Sequence, residues 1–298
     1  MSHFCCQPEG MSMRALFQRD SRLGIAVAAP FAAFIALFLV YPITVVAWKA
    51  MTPGGNVGFD ALARAMSGTY RQGFINSTEL SLTSAIIGGL VGLLLALVVS
   101  TLRRPRWLHP TLESWSAVAS QLGGVPLAFA FIATIGTQGL VTKALAGLDL
   151  DLRDYGVTVT GFWGIVVVYL YFQIPLMFLV MTPAIAGLRK SWREAAAIMG
   201  ASPARYWLSV GGPILAPSVL GGMILLFINS FIAYATVFVL NQGGALVPLQ
   251  IRFLLQGNVI TGQEDLGNAI VLWVITLLVA SLFVMTALQR RALRWMRS

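Results

Sequence analysis

Residues 161–186, GFWGIVVVYLYFQIPLMFLVMTPAIA, contain no Asp, Glu, Lys or Arg. About 20 apolar residues rising 1.5 Å each cross a hydrocarbon core of ~30 Å as a helix. The stretch is continuously apolar, whereas a strand of a membrane barrel alternates over about ten residues. Five runs of the same kind flank it: Gly24–Trp48, Asn76–Leu102 and Trp115–Thr137 upstream, Ile214–Leu240 and Gly267–Gln289 downstream. The chain of 298 residues is 57% hydrophobic and only 10% charged, against roughly a quarter charged in a soluble domain. The expectation is an all-α membrane protein. One six-helix domain occupies 24–289, between an N-terminal tail, 1–23, and a basic tail, 290–298.

The formal net charge of +9 lies in short connections between apolar runs. That is a pattern of topology signals, and no soluble stretch is long enough to build a nucleic-acid-reading module. On one side fall Arg14, Arg19 and Arg22, then Arg103, Arg104 and Arg106, then Arg189, Lys190, Arg193 and Arg205, and last Arg290, Arg291, Arg294 and Arg297. The other side keeps Lys49, Arg64, Arg71, Lys143, Arg153 and Arg252. The basic excess predicts that both termini are cytoplasmic. Cys5 and Cys6 are adjacent in the tail and supply neither a disulfide framework nor a metal cluster. No cleavable signal peptide is evident, because the first apolar run is too long. His3 and His109 lack metal-ligand spacing.

Smaller signals sit on the connections. Asp149, Asp151 and Asp154 form an acidic rim, Asp60–Ala65 reads as a weak helix, and Leu249–Leu255 is too short to span and reads as re-entrant or interfacial. Asn76 with Glu79 three residues later reads as a capping box opening the second span. Gly88 and Gly92, four apart, let another helix approach closely.

Immediately after the opening stretch comes the basic connection Arg189–Pro217. Trp192–Met199 is rich in helix formers, and Gly200 suits a left-handed C-cap. Ser202 is an N-cap followed by Pro203 at the first helical position. Two short helices joined by a turn are expected, with Pro213 and Pro217 marking entry into the fifth span.

This connection resembles the inner-membrane components of type I ABC importers, whose signature is Glu-Ala-Ala, three residues, Gly, nine residues, then Ile-x-Leu-Pro. Glu194, Ala195, Ala196 and Gly200 match it, Val210 stands in the Ile position and Pro213 in the Pro position, while Gly212 replaces the usual Leu. The resemblance covers the chain from about Gly24 and implies the MetI-like permease fold, with 189–213, including Ser202, as the coupling loop. It implies helices that sit in a groove of an ATP-hydrolysing subunit and transmit its motion. Ala195 and Ala196 would be small contacts, Glu194 would pair with a basic or donor group, and Gly200 would shape the turn. The implied partners are an ABC ATPase dimer, a second homologous permease, an extracytoplasmic solute-binding protein and membrane lipid. No cofactor is expected in this chain, with ATP and Mg on the ATPase. Consistent with that division, Lys49, Lys143 and Lys190 follow Trp48, Thr142 and Arg189, so no phosphate-cradling Gly-Lys-Ser/Thr loop exists. The resemblance implies that the chain is not itself an enzyme.

The forms Gly124-Val125-Pro126-Leu127 and Tyr171-Phe172-Gln173-Ile174-Pro175-Leu176 are similar to spermidine/putrescine-type permeases and related aminoethylphosphonate-type importers. A polyamine is therefore the expected solute. Aminoethylphosphonate, ferric iron, sulfate and thiamine are alternatives, and an ion-coupled secondary transporter is the rival class. That rival would show intramembrane acids or inverted repeats. Polar groups deep in spans three to five are the candidate solute path: Gln121, Tyr169, Tyr171, Gln173, Asn229 and Tyr234, with Gln173 and Asn229 favoured. Pro175 and Pro183 are expected to break the helix that carries them.

Overall fold

A computed structural model of the chain describes residues 29–102, 107–147, 158–241, 243–256 and 264–295, with side chains to residue 290. The tail with Cys5 and Cys6, Arg103–Arg106, the acidic residues 149–154 and Arg297 lie outside these positions. Every regular element among the described residues is helical. In chain order they are α1 (Ala29–Met51), α2 (Asp60–Ala65), α3 (Gly68–Thr101), α4 (Leu108–Gln121), α5 (Gly124–Ile135), α6 (Leu140–Ala146), α7 (Phe162–Ala186), α8 (Lys190–Ile198), α9 (Pro203–Phe231), α10 (Tyr234–Leu240), α11 (Val247–Leu255) and α12 (Glu264–Trp295). Among the described residues, six stretches are long and apolar enough to cross a membrane: α1, α3, Gly124–Ala146, α7, α9 and Glu264–Arg290.

The centre of the bundle is α7, which packs on α3, α4 and α9. Lipid tails are as apolar as leucine, so helices in a membrane associate through close packing and hydrogen bonds rather than hydrophobic expulsion. The α3–α7 crossing depends on small residues. A Cβ on Gly92 would lie 2.6 Å from the Ile174 carbonyl oxygen, and one on Gly88 would lie 2.8 Å from Gln173 Oε1. Leucines and valines on the outward faces, such as Leu82, Leu90, Leu94 and Val98 of α3, are exposed as lipid-facing residues should be. At the periphery, α12 gathers α1, α2 and α11.

Four expectations about the spans need correction. Helix α3 begins at Gly68, where φ is 53°, so Asn76 is not an N-cap but an interior residue. Its amide donates to the Ala245 carbonyl at 3.0 Å and accepts from Gln72 at 2.8 Å. The expected third span, Trp115–Thr137, is broken at Leu122–Gly123, and the fifth, Ile214–Leu240, is broken at Ile232–Ala233. Helix α7 continues through Pro175 and Pro183 without a break.

Proline acts elsewhere through π-turns. Ala36–Val40 and Trp207–Gly211 are single π-turns, closed by Tyr41 N–H to the Ala36 carbonyl and by Gly212 N–H to the Trp207 carbonyl. Each closes one residue before a proline, Pro42 or Pro213. The missing proline N–H and its ring clash with the carbonyl four residues back favour an inserted residue there. The second π-turn keeps Pro203–Phe231 continuous, so the expected second short helix is the first turn of the fifth span.

Candidate functional site

Among the described residues two places stand out, at opposite ends of α9. The first is the elbow between α7 and α9. Helix α8 ends in a Schellman motif: Ala201 N–H donates to the Ala196 carbonyl at 2.9 Å and Gly200 N–H to the Ala197 carbonyl at 3.0 Å. Gly200 takes φ 77°, which its lack of a Cβ permits. The next helix starts at once, with Ser202 Oγ accepting from Arg205 N–H at 3.3 Å and Pro203 at the first helical position. Tyr206 is buried against Trp207 in an edge-to-face pair, with ring centroids 5.8 Å apart.

This rigid corner displays an unusual surface. Ile198, Met199 and Leu208 are 88%, 81% and 80% exposed, a density of bare apolar groups typical of a binding surface. Glu194, Ala195 and Gly200 are exposed beside them, Val210 is partly buried, and Pro213 is exposed. Ala196 is buried against the chain itself. Among the described residues Glu194 makes no ion pair. Sequence reasoning found the Glu-Ala-Ala positions and missed Ile198, Met199 and Leu208. The available signal was large apolar residues in a short, otherwise charged segment.

The second place is a cavity of about 310 Å³ where the two helix breaks meet. Gln121, Asn229, Tyr234 and Thr236 line it, together with backbone at Gly123 and Gly124. Non-helical backbone at membrane depth is tolerated only where protein or a polar cavity satisfies it, and both breaks are satisfied in this way. Gly124, at φ 74°, donates its N–H to Thr236 Oγ1 at 3.0 Å, and the Thr236 hydroxyl donates to the Gly124 carbonyl at 3.4 Å. The Ala233 carbonyl, freed by the other break, accepts from the Tyr169 hydroxyl at 3.2 Å. A larger groove, about 710 Å³, between α3, α9 and α12 is walled by Phe74, Leu82, Met223, Phe227 and Trp273. Its chemistry is that of hydrocarbon.

Of the sequence candidates, Gln121, Asn229 and Tyr234 thus share one cavity. Gln173 does not line it: fully buried at the α3–α7–α9 crossing, its Nε2 donates to Ser84 Oγ at 3.1 Å and to Ser230 Oγ. Tyr169 is buried behind the break it braces, and Tyr171 stands edge-on to Phe131 at 6.1 Å. Thr236 was not singled out from the sequence, because its role depends on a glycine more than a hundred residues away.

The family model described as binding-protein-dependent transport system inner membrane component matches residues 88–298, which include both the elbow and the cavity. The chain belongs to this family. The permease is 25% identical over 206 residues to a probable sulfate transport system permease protein of Nephroselmis olivacea, covering 67% of this chain and 69% of that one. It is 27% identical over 227 residues to the sn-glycerol-3-phosphate transport system permease protein UgpA of Yersinia pestis, covering 73% and 75%. In fold it is similar to a bacterial ABC transporter involved in import of the acidic polysaccharide alginate, with TM-score 0.73 and 18% identity over 94% of this chain and 98% of that one. It is also similar to the MetNI methionine ABC transporter, with TM-score 0.53 and 16% identity over 76% and 99%. The permease is therefore a multi-pass membrane component of a binding-protein-dependent importer.

Proposed function

We propose that this permease passes a small anionic solute through the cavity between its two helix breaks, driven by an ATPase that docks on the 189–213 elbow. The observation that carries the solute reading is the polar half of the cavity lining, the amides of Gln121 and Asn229 and the hydroxyls of Ser120, Tyr234 and Thr236, with no carboxylate to hold a cation. Amide N–H groups and hydroxyls donate to oxyanions. The two sequence relatives named above supply the class, since sulfate and sn-glycerol-3-phosphate are both anions. The polyamine expectation finds no such support, because a polycation would meet no negative group among these lining residues.

Coupling rests on the elbow. It leaves Glu194, Ile198, Met199 and Leu208 exposed, groups suited to a partner that buries apolar surface and pairs a carboxylate. Motion of that partner reaches the cavity along α9, which runs unbroken from Pro203 to Phe231. The complete assembly is then this permease with a second permease, two ATPases carrying ATP and Mg, and a solute-binding protein, in an inner membrane with the elbow cytoplasmic.

The test is co-purification with the products of neighbouring genes, reconstitution in liposomes, and ATPase stimulation by the loaded binding protein. Stimulation by sulfate or sn-glycerol-3-phosphate and none by spermidine supports the reading. Stimulation by spermidine alone refutes the anion class, and uptake without any ATPase refutes the importer.

A further inference from the structure

A cation stands one aromatic ring behind the cavity wall. Arg252 lies on α11, at the end of the bundle opposite the elbow, and its guanidinium carbon sits 3.8 Å from the centroid of the Phe238 ring. Phe238 is stacked on Tyr234, with centroids 5.5 Å apart and planes at 21°. Tyr234 lines the cavity. A continuous chain of contacts therefore leads from a positive charge to the polar chamber.

That charge is held in place without being neutralised. Arg252 Nε donates to Gln256 Oε1 at 2.8 Å, a neutral partner, and among the described residues no carboxylate pairs with the guanidinium. Its remaining N–H donors match an oxyanion's oxygens, and the aromatic face beneath it favours a weakly hydrated, fixed cation. The helix below is itself pinned to α3. Gln250 donates to the Thr69 carbonyl at 2.9 Å, Val247 N–H donates to Ser77 Oγ at 2.9 Å, and Asn76 holds the Ala245 carbonyl. An arginine serving only as surface charge needs no such seat.

We propose that Arg252 is a specificity-determining residue that receives the anionic group of the solute and hands it to the amides of Gln121 and Asn229, a role that rests on the anion reading above. Phe238 and Gln256 position it. Because Arg252 covers the Phe238 ring, the face that would attract a polyamine is already occupied by a like charge.

The test uses the complete reconstituted transporter and uptake of labelled sulfate and sn-glycerol-3-phosphate. Arg252→Gln is expected to lower uptake of the transported anion about ten-fold, the scale of one charge-assisted hydrogen bond, in a transporter that still assembles. Arg252→Lys should recover part of the loss. In the wild type, sulfate should slow phenylglyoxal modification of Arg252, followed by peptide mass mapping, a readout independent of how the variants fold. Anion uptake by Arg252→Gln within about two-fold of wild type, or modification indifferent to sulfate in a transporter that moves sulfate, overturns the role of Arg252 alone. A wild-type transporter that moves neither anion overturns the anion reading and this role with it.

Discussion

Thr236 and Gly124 exchange hydrogen bonds across two helix breaks, the glycine N–H donating at 3.0 Å and the threonine hydroxyl donating back at 3.4 Å. The first bond satisfies a backbone N–H that a continuous helix would have satisfied internally. Thr236→Val removes both and leaves the Gly124 N–H dependent on whatever occupies the cavity. The expected cost is ~1–3 kcal/mol, read as a lower thermal midpoint of the detergent-purified permease. Thr236→Ser should stay near wild type. Equal midpoints for the two variants would show that the break needs no such bracing.

Gly92 and Gly123 should respond oppositely to the same change. A methyl at Gly92 meets the Ile174 carbonyl oxygen at 2.6 Å, an atom fixed in a helix, whereas one at Gly123 meets nothing within 4 Å. Gly123 is also in extended backbone, at φ −123°, which alanine adopts freely. Gly92→Ala is expected to destabilise by ~1–3 kcal/mol through forced separation of α3 and α7. Gly123→Ala should be silent in thermal unfolding, and a comparable loss in both would refute the close-approach account.

Gln173 is buried, yet its loss should be cheap. Its Oε1 has no hydrogen-bond partner, while Ser84 and Ser230 already lie 3.0 Å apart and bond to each other. Interhelical hydrogen bonds in membranes average only ~0.6 kcal/mol. Gln173→Met, which keeps the unbranched shape, should therefore shift stability by less than about 1 kcal/mol and leave uptake intact. A severe transport defect in this variant would instead place Gln173 on the solute path.

Leu208 and Glu194 separate folding from coupling. Both are exposed, so Leu208→Asp and Glu194→Arg should change stability by no more than about 0.5 kcal/mol. If the elbow docks an ATPase, each should lower solute-stimulated ATP hydrolysis about ten-fold, with the permease still inserted and folded. Stimulation at wild-type level in both would remove the elbow from the coupling path.

The elbow was readable from sequence because its instructions are local. Gly200 at a position that needs positive φ and Ser202-Pro203 at a helix start each act within a few residues, and the structure places both at those turns. The same holds for Asp60–Ala65, a short helix in the structure as expected. Asn76 shows where local reading fails. It has the chemistry of an N-cap, but Gly68 starts the helix two turns earlier and leaves its amide to a distant carbonyl.

The cavity was not readable in the same way. Gly123-Gly124 hints at one break, but Ile232-Ala233 contains neither glycine nor proline, and nothing in its own segment interrupts an apolar helix. That break is held by Tyr169 and faces the Gly124–Thr236 exchange, contacts that exist only once α5, α7 and α10 are assembled. By itself the sequence determined that this chain crosses a membrane as helices and bends sharply after the fourth, because hydrophobic length and turn preference are properties of short segments. Only the tertiary structure decided that Gln121, Asn229 and Tyr234 share a chamber while Gln173 is buried where three helices cross. All are polar groups in apolar spans, and only the packing of neighbouring helices determines which of them meets a side chain and which an open space.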